Sequence, residues 1–128
     1  MTDSIRADFQ RDVLKGVVDR FGTPLFVYDV GSLGSQLNRL RSALPTEFLI
    51  HYSVKANPNP FILRWFLARG CGLEVASAGE VFLALKAGCS PENILFAGPG
   101  KTEAELEYVL SVEIGEIHAE SALEVERI

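Results

Sequence analysis

The sequence predicts an α/β fold in which parallel strands alternate with helices. Short apolar runs recur along the chain, and amphipathic stretches of helix length separate them. From residue 48 onward the order is strand then helix, four times over. Since such an order requires helical crossovers between parallel strands, it fits either a (β/α) barrel or an open, doubly wound sheet.

The first 47 residues are expected to lead into this sheet. Residues 8–20 place apolar side chains on one helical face and predict a helix. Leu25 to Tyr28 is rich in aromatic and branched residues and predicts a strand. Asp29 can cap a second helix that runs to about Leu44. We therefore divide the chain into residues 1–47, which form a helix, a strand and a helix, and residues 48–128, the first half of a barrel.

Four strand–helix units make up the second part. N-cap residues open the helices, and Glu80 completes a capping box with Ser77. The last helix is cut off by the chain end, so about four of the eight units of a barrel are expected. The predicted strands are 48–55, 73–76, 94–97 and 114–119, and the predicted helices are 60–69, 78–87, 103–110 and 122–128.

Composition excludes several classes of protein. The net charge is −5 and the 12 basic residues are scattered, which argues against a nucleic-acid partner. No apolar run is long enough to span a bilayer, and the polar N-terminus is not a secretory signal. The spacing of Cys71 and Cys89 resembles no metal motif. We therefore expect a cytoplasmic protein with reduced thiols, no metal site and no membrane partner.

Side-chain alternation places polar residues on one face of the predicted sheet. The other face of the first strand is apolar and should pack against helices, while the inward face carries Leu49, His51, Ser53 and Lys55. Glu74 lies inward on the second strand, and Glu116, His118 and Glu120 do so on the fourth. Active sites of barrels lie at the carboxyl ends of the strands.

Lys55 and Glu74 are the candidate pair for chemistry. They end adjacent parallel strands on the same face, so they are expected to share one site. A lysine amine attacks a carbonyl only when deprotonated, and burial and neighbouring charges control that state. Taken alone, a lysine at a strand end is usually solvated, and an inward glutamate is usually the partner of a cation. Residue chemistry therefore yields an amine and a carboxylate, but no reaction.

The segment His51–Pro60, HYSVKANPNP, resembles the cofactor-lysine motif of the fold-type III pyridoxal phosphate-dependent decarboxylases, the diaminopimelate and ornithine decarboxylase group. Segments 21–29, 72–80 and 96–102 resemble further parts of that family, in the same order. Glu120-Ser121 resembles the end of its fourth strand. The resemblance implies the N-terminal part of an alanine-racemase-like (β/α)8 TIM barrel.

The resemblance also implies a cofactor and roles for individual residues. Lys55 would hold pyridoxal 5'-phosphate as a Schiff base, with Glu74, Ser53 and His51 as further cofactor-binding residues. Glu74 stands where several relatives have an aspartate. Lys101 is expected to be a solvated cation near a helix start. The implied substrate is diaminopimelate, an ornithine- or arginine-like amino acid, or a carrier-linked aminoacyl group, and the implied full-length assembly is a head-to-tail homodimer.

Alternatives to an active decarboxylase stay open. The resemblance implies that the phosphate-binding loop and a C-terminal β-domain lie outside this chain, so the fragment is expected to bind the cofactor poorly and to be inactive. A non-catalytic half-barrel could instead bind and modulate a full-length relative. A racemase or a pyridoxal phosphate carrier could be built on the same barrel.

Overall fold

The computed structural model describes residues 11–128, which divide after Phe48 into two compact units. The first unit contains helices α1 (Arg11–Phe21) and α2 (Val30–Ala43). The carboxylate of Asp29 accepts hydrogen bonds from the α2 backbone amides of Gly31 and Ser32, at 3.0 and 2.9 Å. The predicted cap is therefore confirmed, whereas the predicted helix start at Asp8 lies outside the described residues.

The strand predicted at Leu25 to Tyr28 is wrong. This segment is irregular, and Phe26 is 91% exposed. Within residues 11–128, the strands that pair all belong to the second unit. An extended segment with high strand propensity still needs a neighbouring strand for its backbone groups, and here the described chain supplies none.

The second unit is a four-stranded parallel sheet in the order β1-β2-β3-β4. This confirms the predicted alternation of strands and helices, although the strands are shorter than predicted. The strands are β1 (His51–Ser53), β2 (Gly72–Val75), β3 (Ile94–Phe96) and β4 (Glu116–Ile117). The helices are α3 (Pro60–Leu67), α4 (Ala78–Ala87), α5 (Glu103–Val112) and α6 (Ala122–Val125), with short 3-10 turns at Val54–Ala56 and Pro91–Asn93.

Three successive helices start with the same local chemistry. The hydroxyls of Ser77, Thr102 and Ser121 each accept a hydrogen bond from the backbone amide three residues later. That third residue is a glutamate in every case, and its carboxylate bonds back to a backbone amide at or just before the cap. These caps fix where each chain segment leaves the sheet, and hence the loops at the carboxyl ends of the strands.

The core lies between the sheet and the helices. Leu73, Val75, Ile94 and Phe96 are at most 1% exposed and belong to one apolar cluster, and Tyr52 stacks on Phe66 of α3 with ring centroids 4.1 Å apart. Alternate residues therefore point to the other side of the sheet, as predicted. We call this side the polar face, formed by His51, Ser53, Gly72, Glu74, Leu95, Ala97, Glu116 and His118.

In the part of the chain that the structure describes, none of the helices combines the length and the apolar composition that a membrane crossing requires.

Candidate active site

Lys55 lies in the 3-10 turn Val54–Ala56 and not in a strand, because β1 ends at Ser53. The predicted strand limit at Lys55 is therefore wrong by two residues. Asn57 is extended, as the residue before Pro58 should be, and its side-chain oxygen accepts from the backbone amide of Asn59 at 3.0 Å. The chain thus turns sharply away from the sheet right after Lys55.

The structure brings Lys55 and Glu74 together, as the sequence predicts. Lys55 Nζ lies 3.5 Å from Glu74 Oε1. The register of β1 and β2 pairs Ser53 with Glu74, which places the glutamate beside the turn that carries the lysine. The Lys55 side chain is 64% exposed and that of Glu74 is 20% exposed. A single carboxylate at this distance holds an exposed amine only weakly, so the amine remains accessible to a ligand.

Ser53 contributes an unpartnered hydroxyl to the polar face. Within residues 11–128, its Oγ is the only buried side-chain oxygen or nitrogen without a hydrogen-bond partner. Leaving such a group unpaired costs about 1–3 kcal/mol, and exceptions of this kind in folded proteins call for an explanation. Since Ser53 pairs with Glu74 in the sheet, its hydroxyl can serve a ligand bound near Lys55.

His51 is not brought to Lys55. It lies at the amino end of β1, whereas Lys55 lies in the turn that follows the carboxyl end of this strand. The His51 ring covers Gly72, and a Cβ atom there would also come within 2.7 Å of the backbone oxygen of Asn93, so only glycine fits. His51 lines a cavity of about 230 Å³ with Cys71, Gly72, Cys89 and Asn93, among others. Its cofactor-binding role stays a prediction that this position does not favour.

Glu116 and His118 form a second polar pair on the polar face. His118 Nε2 lies 2.9 Å from Glu116 Oε1, and the two side chains are 49% and 60% exposed respectively. The strand register places Ser53, Glu74, Leu95 and Glu116 in one row across the sheet. The polar face therefore carries carboxylates on β2 and β4, in the row that starts at Ser53, two residues before Lys55.

The expectation that Lys101 is solvated is wrong, because its side chain is only 1% exposed. Lys101 Nζ donates to the backbone oxygens of Gly98 and His118, both at 2.7 Å, and to Glu124 Oε2 at 3.1 Å. Two of these partners lie 17 and 23 residues further along the chain. A glycine-rich loop before a helix carries no local sign of such contacts, so sequence analysis could not find them.

Two hydrogen-bonded glutamates and a thiol in this unit have shifted pKa values. The hydrogen bond from the Thr102 backbone amide, followed by that from Ala78, lowers the pKa of Glu105. The bond from the Glu120 amide lowers the pKa of Glu124, and the Lys101 ammonium adds to this. Burial raises the pKa of the Cys89 thiol to about 11, which keeps it protonated and unreactive at neutral pH.

Known proteins resemble this chain over most of its length. Diaminopimelate decarboxylase of Aquifex aeolicus is 42% identical over 113 residues, which are 88% of this chain and 27% of that protein. L-glutamyl-[BtrI acyl-carrier protein] decarboxylase of Niallia circulans is 41% identical over 112 residues, again 88% of this chain, and 26% of that protein. The chain therefore spans about a quarter of the length of these relatives.

Solved structures agree in fold. Diaminopimelate decarboxylase from Helicobacter pylori, crystallised with L-lysine, superimposes with a TM-score of 0.82 at 31% identity, and the match covers 89% of this chain and 29% of that one. The predicted fold, the N-terminal part of a (β/α)8 barrel, is thereby confirmed. Residues 30–128 match the family described as pyridoxal-dependent decarboxylase, pyridoxal binding domain. The chain belongs to this family of pyridoxal-dependent decarboxylases.

Proposed function

We propose that this chain is the N-terminal part of a pyridoxal phosphate-dependent amino-acid decarboxylase in which Lys55 binds the cofactor covalently. The observation that supports this most directly is the exposed amine of Lys55 beside the carboxylate of Glu74, 3.5 Å away at the carboxyl ends of adjacent parallel strands. Barrel enzymes bind their substrates at this end. Membership of the decarboxylase family adds the reaction class.

The described residues fit this cofactor. Pyridoxal phosphate supplies an aldehyde that condenses with an amine and a ring that withdraws electrons from the reacting carbon. Lys55 provides the amine. The Glu74 carboxylate can orient this amine and can exchange a proton with it. The unpartnered hydroxyl of Ser53 can bond to a polar atom of the bound group. His51, at the opposite end of β1, is the residue whose contribution the geometry supports least.

The proposed substrate is an amino acid, either free or linked to a carrier protein. The names of the relatives support this range, since one acts on diaminopimelate and another on a glutamyl group on an acyl-carrier protein. We further propose that the enzyme works in the cytoplasm as a head-to-tail homodimer, and that residues 1–47 lead into the barrel part at 48–128. The 128 residues alone are proposed to bind the cofactor weakly and to be inactive.

Reductive trapping tests the proposed role of Lys55. The protein produced from its complete gene is incubated with pyridoxal phosphate, reduced with borohydride, digested and mapped by mass spectrometry. We expect the adduct on Lys55, and none there in Lys55→Ala. Lys86→Ala removes an exposed lysine on α4 and serves as the matched control. An adduct on another lysine in the unmodified protein would contradict the proposal.

Product analysis tests the proposed reaction. The same protein is assayed for carbon dioxide release from diaminopimelate, lysine, ornithine and a glutamyl-loaded carrier protein. Release from one of these, lost in Lys55→Ala, supports the decarboxylase. Inverted stereochemistry without carbon dioxide release would identify a racemase instead. Stoichiometric labelling together with turnover by the 128-residue chain alone would refute its proposed inactivity.

A further inference from the structure

We propose that Lys101 is a positioning residue, which closes a ring of hydrogen bonds that holds the polar face of β4 in place for the reaction. We call this ring the loop clamp, formed by Gly98, Lys101, His118, Glu120 and Glu124. The inference rests on the proposed function, because it assigns a role in that reaction to residues that do not touch Lys55. That Lys101 holds the two loops together can be tested without an enzymatic assay.

The loop clamp joins the two loops that follow β3 and β4. Lys101 Nζ donates to Gly98 O at 2.7 Å and to Glu124 Oε2 at 3.1 Å. Glu124 Oε2 also accepts from the backbone amide of Glu120 at 2.7 Å. Glu120 Oε1 in turn accepts from the backbone amide of Gly98 at 3.2 Å, which closes the ring. Every bond between the two segments thus has its donor, Gly98 N or Lys101 Nζ, in the loop after β3 and its acceptor in the segment after β4.

The hydrogen-bonding capacity of Lys101 is filled within this ring. An ammonium group has three donors, and the three acceptors around Nζ are Gly98 O, His118 O and Glu124 Oε2. The side chain is 1% exposed, and Glu124 is 7% exposed. An amine so placed cannot reach a carbonyl substrate without breaking all three bonds. Its chemistry is therefore that of a cross-link between loops and not that of a nucleophile.

The third acceptor connects the loop clamp to the polar face. Lys101 holds the backbone oxygen of His118, whose backbone amide donates to Phe96 O at 2.8 Å. The side chain of the same residue pairs with Glu116 at 2.9 Å. Both backbone polar groups of His118, the amide and the carbonyl oxygen, are therefore hydrogen-bonded, which fixes the carboxyl end of β4. Because β4 is only two residues long, these contacts supply the order that a longer strand ladder would provide.

As a consequence, the loop clamp keeps the charged side chains of β4 at fixed positions on the polar face relative to Lys55. Glu74 and Glu116 occupy the same row of the polar face, two strands apart. Loss of the loop clamp would let Glu116 and His118 move relative to Glu74 and Lys55. Since catalytic geometry tolerates little displacement, a movement of about 1 Å can cost on the order of 100-fold in rate.

Lys101→Met tests this inference in the protein produced from its complete gene. Methionine fills a similar volume but has no donor, so the ring opens while the apolar contacts remain. At saturating cofactor and at a temperature where both proteins are folded, we expect kcat to fall between about tenfold and about 100-fold. KM should change by less than about threefold, because Glu116 and His118 are expected to affect the geometry of the reaction more than the binding of the substrate. Lys86→Met, at an exposed site, should leave both unchanged.

Amide hydrogen exchange separates local loosening from a general loss of stability. In Lys101→Met the amides of Gly98 and Glu120 should exchange faster than in the unmodified protein. The Ala78 amide, which donates to Glu105 at 3.1 Å outside the loop clamp, should keep its rate. Unchanged exchange at Gly98 and Glu120 would overturn the inference even for a protein without decarboxylase activity. If the unmodified protein shows no decarboxylase activity, that result overturns only the proposed function.

A double variant separates positioning from stability. Lys101→Met with Glu124→Met removes both buried charges, so most of the lost thermal stability should return. The backbone oxygens of Gly98 and His118 still lack their donor, so kcat should stay low. Recovery of kcat together with stability would show that the pair acts only through folding. Should Lys101→Met not fold, the double variant alone decides, since a kcat equal to that of the unmodified protein would refute positioning.

Discussion

Two lysines follow strands of the same sheet, yet they differ in exposure and in the number of hydrogen bonds that they donate. Lys55 follows β1, is 64% exposed and faces one carboxylate at 3.5 Å. Lys101 follows β3, is 1% exposed and donates to three oxygens within 3.1 Å. An amine can take a ligand only when its donors are not already committed. The difference supports the proposal that Lys55 binds the cofactor and that Lys101 cross-links two loops.

Replacing Lys55 should produce the largest effect on activity. Lys55→Ala removes the amine that the proposed cofactor needs, and we expect kcat/KM to fall by at least about 1,000-fold, the scale on which catalytic groups contribute. Thermal stability should stay close to that of the unmodified protein, because an exposed ion pair contributes little. Steady-state kinetics and a thermal melt measure the two quantities. If the kcat/KM of Lys55→Ala stays within tenfold of that of the unmodified protein, Lys55 is not the cofactor lysine that we propose.

For stability, we expect replacement of Lys101 to have a larger effect than replacement of Lys55. Lys101→Met leaves Glu124 without its cation and two backbone oxygens without a donor, so we expect a loss of about 3 kcal/mol of unfolding free energy. Lys55→Met should change it by less than about 0.5 kcal/mol. Urea titrations of both variants give the comparison directly. Equal losses would mean that burial of Lys101 does not contribute to the stability of this unit.

Ser53→Ala should have a smaller effect, confined to the Lys55 region. Its hydroxyl has no partner in the described structure, so removing it should leave stability unchanged or slightly higher. If the hydroxyl bonds to the cofactor, affinity for pyridoxal phosphate should fall by about two- to tenfold, which corresponds to one ordinary hydrogen bond. Spectroscopic titration with the cofactor measures this affinity. An unchanged affinity would exclude Ser53 from the cofactor site.

The loop clamp should also lose its contribution in acid. The Glu120 amide bond lowers the folded-state pKa of Glu124 below its usual 4.5. The unfolded chain therefore binds a proton first, and the stabilisation is complete above pH 4.5 and is lost as pH falls through the folded-state pKa. Urea midpoints of the unmodified protein and Glu124→Gln should thus differ at pH 7 and converge in acid. Glu107→Gln, at an exposed site on α5, should show no such convergence.

Several structural features were predictable because they depend on residues close in sequence. Capping by Asp29, Ser77 and Thr102 involves partners no more than three residues away. The left-handed Gly88, at φ 96°, ends α4 as its sequence position indicates. The meeting of Lys55 with Glu74 is not local, since the two residues are far apart in sequence, but it follows from the parallel order of two consecutive strands. Local rules sufficed for the caps and the helix end.

Other features could not be predicted because they depend on distant partners. His51 was predicted to share a face with Lys55, but it lies at the amino end of β1 and Lys55 lies in the turn after that strand. The loop clamp depends on contacts between residues about 20 positions apart. Neither composition nor periodicity describes such contacts.

The sequence by itself determined the order of strands and helices from residue 48 onward, the face of the sheet that carries polar groups and the identity of the candidate lysine. Periodicity, caps and short motifs encode these features, and each acts over a few residues. Only the tertiary structure decided that the Lys55 amine is exposed and that the Lys101 amine is buried. Exposure and hydrogen-bond saturation depend on how distant loops fold back on one another, and Lys101 is buried because the end of β4 and the start of α6 surround it.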